Sequence, residues 1–385
     1  MPEVLKARLR ARLEELQQQQ LLRTLLPPTG SDLSSNDYLG LANHPLLKAW
    51  MMDAVEREGC GSTGSRLLRG ERESFAAIER RFASFKRTER SLYFSSGYLA
   101  NLAVLTTFPE AGDLILSDER NHASLIDGSR LSAAKRVVFP HNDIAAVGRL
   151  LDEYHGTGQI FVVTESLFSM DGDSAPLAEY AALCRATRAA LVVDEAHAVG
   201  IFGERGSGLI ESTGTDDDVF VSVNTAGKAL GVAGAFVAGP EWAIDYLVQR
   251  ARSFIFSTAP PPSVAAALHA SLTLIANEPE RRAALVDRAR HLRTRLAEAG
   301  IPVPDGSSHI VPVILGENDR AVSVAQALQS QGFDVRAIRP PTVAPGTARL
   351  RLSVNLNVTE VTLDRFVAAL AAAVGKSLPC SAASS

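Results

Sequence analysis

Polar and ionisable residues recur immediately beyond short apolar runs in this chain. After SLYF (91–94) stands Ser95-Ser96-Gly97-Tyr98-Leu99-Ala100-Asn101, and after LILSD (114–118) stands Glu119-Arg120-Asn121-His122-Ala123-Ser124. IFVVT (160–164) leads into Glu165-Ser166-Leu167-Phe168-Ser169-Met170-Asp171-Gly172. ALVVD (190–194) ends on Asp194 with His197 three residues on, and VFVSV (219–223) leads into Asn224-Thr225-Ala226-Gly227-Lys228. Singly, each has a plain structural explanation: a surface or capping histidine, a helix N-cap, a solvated cation. Jointly, five strand ends offer a helix-start phosphate cradle, an imidazole, a hydroxyl, a carboxylate–imidazole pair and a lysine behind a glycine. That inventory suits pyridoxal phosphate (PLP). A lysine amine joins its aldehyde, a carboxylate keeps its ring nitrogen protonated, and a flat side chain stacks on the ring.

The elements that must position these residues read as a two-part chain. Over about 46–280, short apolar runs (with VVF at 137–139 a further one) alternate with helix-like stretches. This predicts right-handed βαβ units around a mostly parallel sheet buried on both faces, whose carboxyl edge is where open α/β sheets bind ligands. Residues 1–45 read as an N-terminal helix and arm. Leu5, Leu9, Leu13 and Leu16 form one stripe, the helix runs over 1–25, and Pro27, Pro28 and Gly30 end it. Residues 281–377 read as a smaller α+β C-terminal domain with strands HIVPVIL (309–315), FDVRAI (333–338) and RLRLSV (349–354) and a closing helix over 358–375, and 378–385 as a flexible tail.

Composition narrows the function classes. Of 385 residues, 46% are hydrophobic and 21% charged, which excludes wholesale disorder. A net charge of −4 supplies no global field for nucleic acid or an anionic membrane. No apolar run approaches the ~20 residues of a membrane span, and the charged N-terminus lacks the apolar core of a signal peptide. Cys60, Cys184 and Cys380 make no CxxC pair, so neither a disulfide scaffold nor a metal site is expected, and a cytoplasmic setting is.

Three motif matches fail on context. GCGSTG (59–64) fits GxGxxG but follows a helical pattern where a dinucleotide loop must follow a strand. DEAH (194–197) resembles a Walker B strand, yet no phosphate-cradling GxxxxGK[ST] accompanies it. CGSTG (60–64) misses the first glycine of a nucleophile elbow.

Longer strings carry a family resemblance over residues 21–375. SSNDYLGL (34–41), GSTGSRLLRG (61–70), HASLIDG (122–128), TESLFSMDGDSAPL (164–177), VDEAHAVGIFGERGSG (193–208) and AIRPPTVAPGTARLRLS (337–353) resemble the α-oxoamine synthases. These are fold-type I PLP-dependent transferases that condense an amino acid with an acyl thioester. The resemblance implies that Lys228 holds PLP as a Schiff base and moves the substrate Cα proton, while Asp194 pairs with the pyridinium nitrogen. His122 stacks on the ring, and His197 and Ser169 hold its phenolic side. Thr225 and the amides of Gly97 and Tyr98 bind the phosphate. Ser257 and Thr258 reach the phosphate of a neighbouring subunit, which implies a homodimer with shared sites. Arg351, with Asn36 nearby, holds the amino-acid carboxylate, and Arg23 and Thr342 touch substrate.

The strings FSMDGDSAPL and RPPTVAPGTARLRL favour the biotin-pathway branch, with L-alanine and pimeloyl-CoA or pimeloyl-acyl carrier protein as substrates. Two alternatives stay open: a sister synthase using glycine or serine with another acyl-CoA, and a catalytically silent PLP-fold binding protein. Ala226 and Ala229 stand where relatives often carry bulkier residues or glycine.

Overall fold

The computed structural model describes residues 2–154 and 156–376. The expected tail at 378–385, and Cys380 with it, lies outside the described residues.

The larger of two compact units comprises residues 39–169 and 173–283. Its sheet has seven strands: β1 (Arg90–Phe94), β2 (Leu114–Asp118), β3 (Lys135–Phe139), β4 (Ile160–Glu165), β5 (Ala190–Asp194), β6 (Val219–Thr225) and β7 (Ala235–Gly239). Their spatial order is β1-β7-β6-β5-β4-β2-β3. Every pairing among β2 to β6 is parallel, and β7 runs antiparallel to both β6 and β1. The carboxyl ends of β1 to β6 therefore share one edge.

The apolar runs of the central strands are continuous because both faces are buried, and alternation divides them between two cores. Ile115, Phe161, Val163 and Val192 pack on one face with Leu105, Leu125 and Phe254. Leu114, Leu116, Ile160, Val162, Leu191 and Val193 pack on the other with Phe139, Tyr180 and Cys184. Strand β7 is an addition to the sequence reading. AFVAG is short and rich in Ala and Gly, with weak strand character of its own. Tertiary packing holds it: Phe236 stacks on Phe82 with centroids 4.0 Å apart and planes 7° off parallel.

Of the described residues, the second unit comprises 2–38, 170–172 and 284–376. It holds an antiparallel sheet in the order Ala337–Ile338, Ala348–Ser353, Ile310–Gly316. Helices Asn318–Gln329 and Glu360–Lys376 belong to the same unit. The single FDVRAI strand expected over 333–338 is two short strands, Phe333–Asp334 and Ala337–Ile338. The N-terminal arm is not a separate piece, because Ser31–Asp32 pairs in parallel with Phe333–Asp334 and Asn355 Nδ2 donates to the Asp32 carbonyl. Nor does its helix extend to residue 25. It spans Glu3–Gln18, ending where Gln20 turns left-handed (φ 57°) and the Leu21 and Leu22 N–H groups both fold back onto the Leu16 carbonyl. Among the described residues no helix is long and apolar enough to cross a membrane.

Candidate active site

Helix Gly97–Thr107 starts three residues beyond β1, and its first turn is built to receive an anion. The Ser96 side chain accepts from Leu99 N–H at 3.2 Å and the Ser96 carbonyl accepts from Ala100 N–H at 3.1 Å, leaving the Gly97 and Tyr98 N–H groups without helical partners. A Cβ on Gly97 would come within 2.5 Å of Thr225 Oγ1, so a side chain there would push that hydroxyl out of its place beside the helix start. Two amides and a hydroxyl thus converge at the positive end of a helix.

Gly97, Tyr98, His122, Asp194, His197, Thr225 and Lys228 line one cavity of about 150 Å³, and Asn101, Ser124 and Glu165 line it with them. Asp194, at the end of β5, is buried; its Oδ1 accepts from Ala196 N–H at 2.8 Å and its Oδ2 from Asn101 Nδ2 at 2.7 Å. Asn101 Nδ2 also donates to Ser124 Oγ at 2.9 Å, and Ser124 Oγ lies 2.7 Å from His122 Nδ1. The Ser124 N–H donates to the same ring nitrogen at 3.2 Å. His122 Nδ1 is therefore an acceptor, which places the proton of the neutral ring on Nε2. Burial pulls the His122 pKa down against the pull of Asp194, and Lys228 lowers it further. Lys228 Nζ and His197 Nε2 are 2.8 Å apart.

Glu165 and Asn101 received no role from the sequence, although each carries a signal. Glu165 is a carboxylate closing an apolar strand, and Asn101 is an amide inside an apolar helix, a residue type that competes with helical backbone bonding. Burial and Asp194 push the Glu165 pKa up to about 8, while Lys228 and the backbone N–H groups of His122 and Ser169, which bond its carboxylate, oppose the shift. Its Oε1 is buried without a partner. Ser169 enters this arrangement through that backbone bond and is not among the cavity-lining residues. The second acid of DEAH works elsewhere, since Glu195 is buried against Lys86 Nζ and accepts from Ile210 N–H at 3.0 Å.

Ser257 is half-buried and Thr258 exposed, and neither lines this cavity. In the second unit Arg351 is buried, its Nη1 donating to Ser353 Oγ at 2.6 Å and Asn36 Oδ1 at 3.1 Å and its Nη2 to Tyr38 Oη at 3.1 Å. Tyr38 also donates to Asn36 Oδ1 at 2.7 Å. Burial raises the Tyr38 pKa, and Arg351 opposes the rise. Arg23 and Thr342 are exposed, and neither bonds to the Asn36–Arg351 cluster. The Thr342 N–H donates to the Arg339 carbonyl at 3.1 Å.

The donor set fits PLP. A glycine-lined amide cradle suits its phosphate, a buried carboxylate its ring nitrogen and a lysine its aldehyde, with a histidine beside the slot.

Known proteins agree with this chemistry. The family model for aminotransferases of class I and II matches residues 28–370. The 8-amino-7-oxononanoate synthase of Geobacter sulfurreducens is 44% identical over 95% of this chain and 97% of its own length. That of Lysinibacillus sphaericus is 40% identical over 94% and 96%. Among solved structures, Sphingomonas wittichii serine palmitoyltransferase superposes with a TM-score of 0.87 at 32% identity, covering 91% of this chain and 89% of that one. The 8-amino-7-oxononanoate synthase of Francisella tularensis gives 0.77 at 29% identity, covering 90% and 98%.

Proposed function

The chain belongs to the class I and II aminotransferase family, and from that premise we propose that it joins L-alanine to a pimeloyl thioester, releasing carbon dioxide and the free thiol and forming 8-amino-7-oxononanoate. It is a PLP-dependent enzyme of biotin biosynthesis. The observation that carries this reading is the single cavity in which Lys228, Asp194, His122, His197, Thr225 and Gly97 meet, in a chain 44% identical to a named synthase.

Bound PLP supplies an aldehyde for the amino group and a conjugated ring that accepts the electrons released at Cα. The protein supplies orientation and charge. Lys228 Nζ takes the Cα proton and returns one after carbon dioxide leaves. His197, 2.8 Å from that nitrogen, aims it. Asp194, fixed by the Ala196 N–H and by Asn101, would pair with the ring nitrogen and keep it protonated. His122 would stack on the ring, and Ser169 and His197 would hold its phenolic side. The Gly97 and Tyr98 amides and Thr225 would take the phosphate.

Arg351 binds the alanine carboxylate through its planar pair of donors, aided by Asn36, and Arg23 and Thr342 contact substrate. The working enzyme is a cytoplasmic homodimer in which Ser257 and Thr258 serve the partner's phosphate; their position away from the cavity of their own protomer supports this.

The test is product formation by mass spectrometry, with L-alanine and either pimeloyl-CoA or pimeloyl-acyl carrier protein. Alanine-dependent 8-amino-7-oxononanoate with stoichiometric thiol release supports the proposal. Turnover only with glycine or serine would move the enzyme to a sister synthase.

A further inference from the structure

His141 sits beyond β3, outside the cavity, where three loops of the same sheet edge meet. Its Nδ1 lies 2.9 Å from Asp118 Oδ1, at the end of β2, and its Nε2 lies 2.6 Å from Asp173 Oδ2, in the loop after β4. With a carboxylate on each nitrogen, the ring donates on both sides and is an imidazolium. Asp118 is buried, and it organises the turn that ends in His122. Its Oδ1 accepts from Arg120 N–H at 2.8 Å, its carbonyl from Asn121 N–H at 3.2 Å, and its Oδ2 from Asn142 N–H at 2.9 Å.

Asp173 organises the turn that carries Ser169. Its carbonyl accepts from Phe168 N–H at 2.9 Å, and Phe168 packs edge-on to His141 with centroids 4.4 Å apart. The same two loops meet again at the cavity, where the His122 and Ser169 N–H groups bond Glu165.

We propose that His141 is a positioning residue for the cofactor site, a cationic clip between Asp118 and Asp173 that sets the width of the slot between the His122 loop and the Ser169 loop. The inference rests on the PLP reading of that cavity and extends it to a residue that touches neither cofactor nor substrate. The charged groups bonded to His141 are Asp118 and Asp173; Asn142 adds an amide donor to Asp173 at 3.2 Å, and Tyr180, on Leu177–Thr187, feels Asp118 and Asp143. Burial works against the cation, but the two carboxylates outweigh it and hold the His141 pKa at about 9.

The experiment measures PLP dissociation constants and the visible circular dichroism of bound PLP for wild type, His141→Asn and Asp173→Asn, with the melting temperature of each apo-protein as control. Visible dichroism reports how the ring is held, and a purely structural contact would not move it. His141→Asn should weaken PLP binding tenfold or more and shrink the dichroic band. Asp173→Asn, which keeps an acceptor oxygen, should lose only a few-fold. Wild type should show a weakening of PLP binding as pH rises through about 9, a step that His141→Asn lacks and that Asp173→Asn shows at lower pH.

If His141→Asn does not fold, the shifted step in Asp173→Asn carries the test, and an unshifted step overturns the inference. Wild-type affinity and dichroism in His141→Asn would overturn it as well, while leaving the cofactor reading intact. A wild type that takes up no PLP would overturn both.

Discussion

Asn101 uses both hydrogens of its amide on the site, one on Asp194 and one on Ser124, which in turn meets His122. A single side chain therefore fixes both Asp194, the proposed partner of the ring nitrogen, and, through Ser124, His122, the proposed stacking partner of the ring. A hydrogen bond to a charged group contributes about 1.5–3 kcal/mol, so Asn101→Ala should weaken PLP binding roughly ten- to a hundredfold, read by equilibrium titration, with the fold intact by circular dichroism. His141 makes a prediction about pH. Its folded pKa of about 9 stands above the unfolded value of 6.5, so its contribution to stability is full below about pH 6.5 and is lost as pH rises through about 9. The melting temperature of wild type should fall across that window by more than that of His141→Asn, and parallel curves would contradict the assignment. At this scale the sequence pointed to His122, Asp194, His197 and Lys228, because histidine, aspartate and lysine beyond strand ends stand out against apolar runs, and these four line one cavity. Asn101, Glu165 and His141 did not stand out in the same way, since their contacts join residues far apart in the chain.

Strand β7 shows where element-level reading stops. The parallel strands are legible because burial on both faces demands unbroken runs of Val, Ile, Leu and Phe. AFVAG offers one large side chain, and its place between β1 and β6 follows from packing. Phe236 is fully buried against Phe82 and Tyr93. Phe236→Ala should therefore cost about 3–5 kcal/mol, measured by denaturant unfolding, and a loss below about 1 kcal/mol would mean that the stack contributes little. The Ser31–Asp32 pairing with Phe333–Asp334 was equally hidden, as two-residue strands near opposite ends of the chain carry no periodic signal. The glycine at the start of the Gly97–Thr107 helix was legible as a turn, whereas the reason for it, Thr225 Oγ1 at 2.5 Å from a would-be Cβ, is tertiary.

For the whole molecule, the proposed dimer leads to a complementation test. Lys228→Ala should be inactive, and Ser257→Ala/Thr258→Ala should bind PLP weakly. A mixed dimer of the two restores one complete site if these hydroxyls serve the partner's phosphate. Co-refolded mixtures should then show activity that neither parent has, and strictly additive activity would place the hydroxyls in their own protomer's site or in none. The central claim concerns Lys228, Asp194 and the choice of amino acid, and visible absorption tests it most directly. The purified protein supplied with PLP should be yellow, and its band should shift on titration with L-alanine at concentrations where glycine and L-serine do little; Lys228→Ala should lack the starting band. A wild-type protein that stays colourless with PLP, or one whose spectrum is indifferent to L-alanine, would contradict the account.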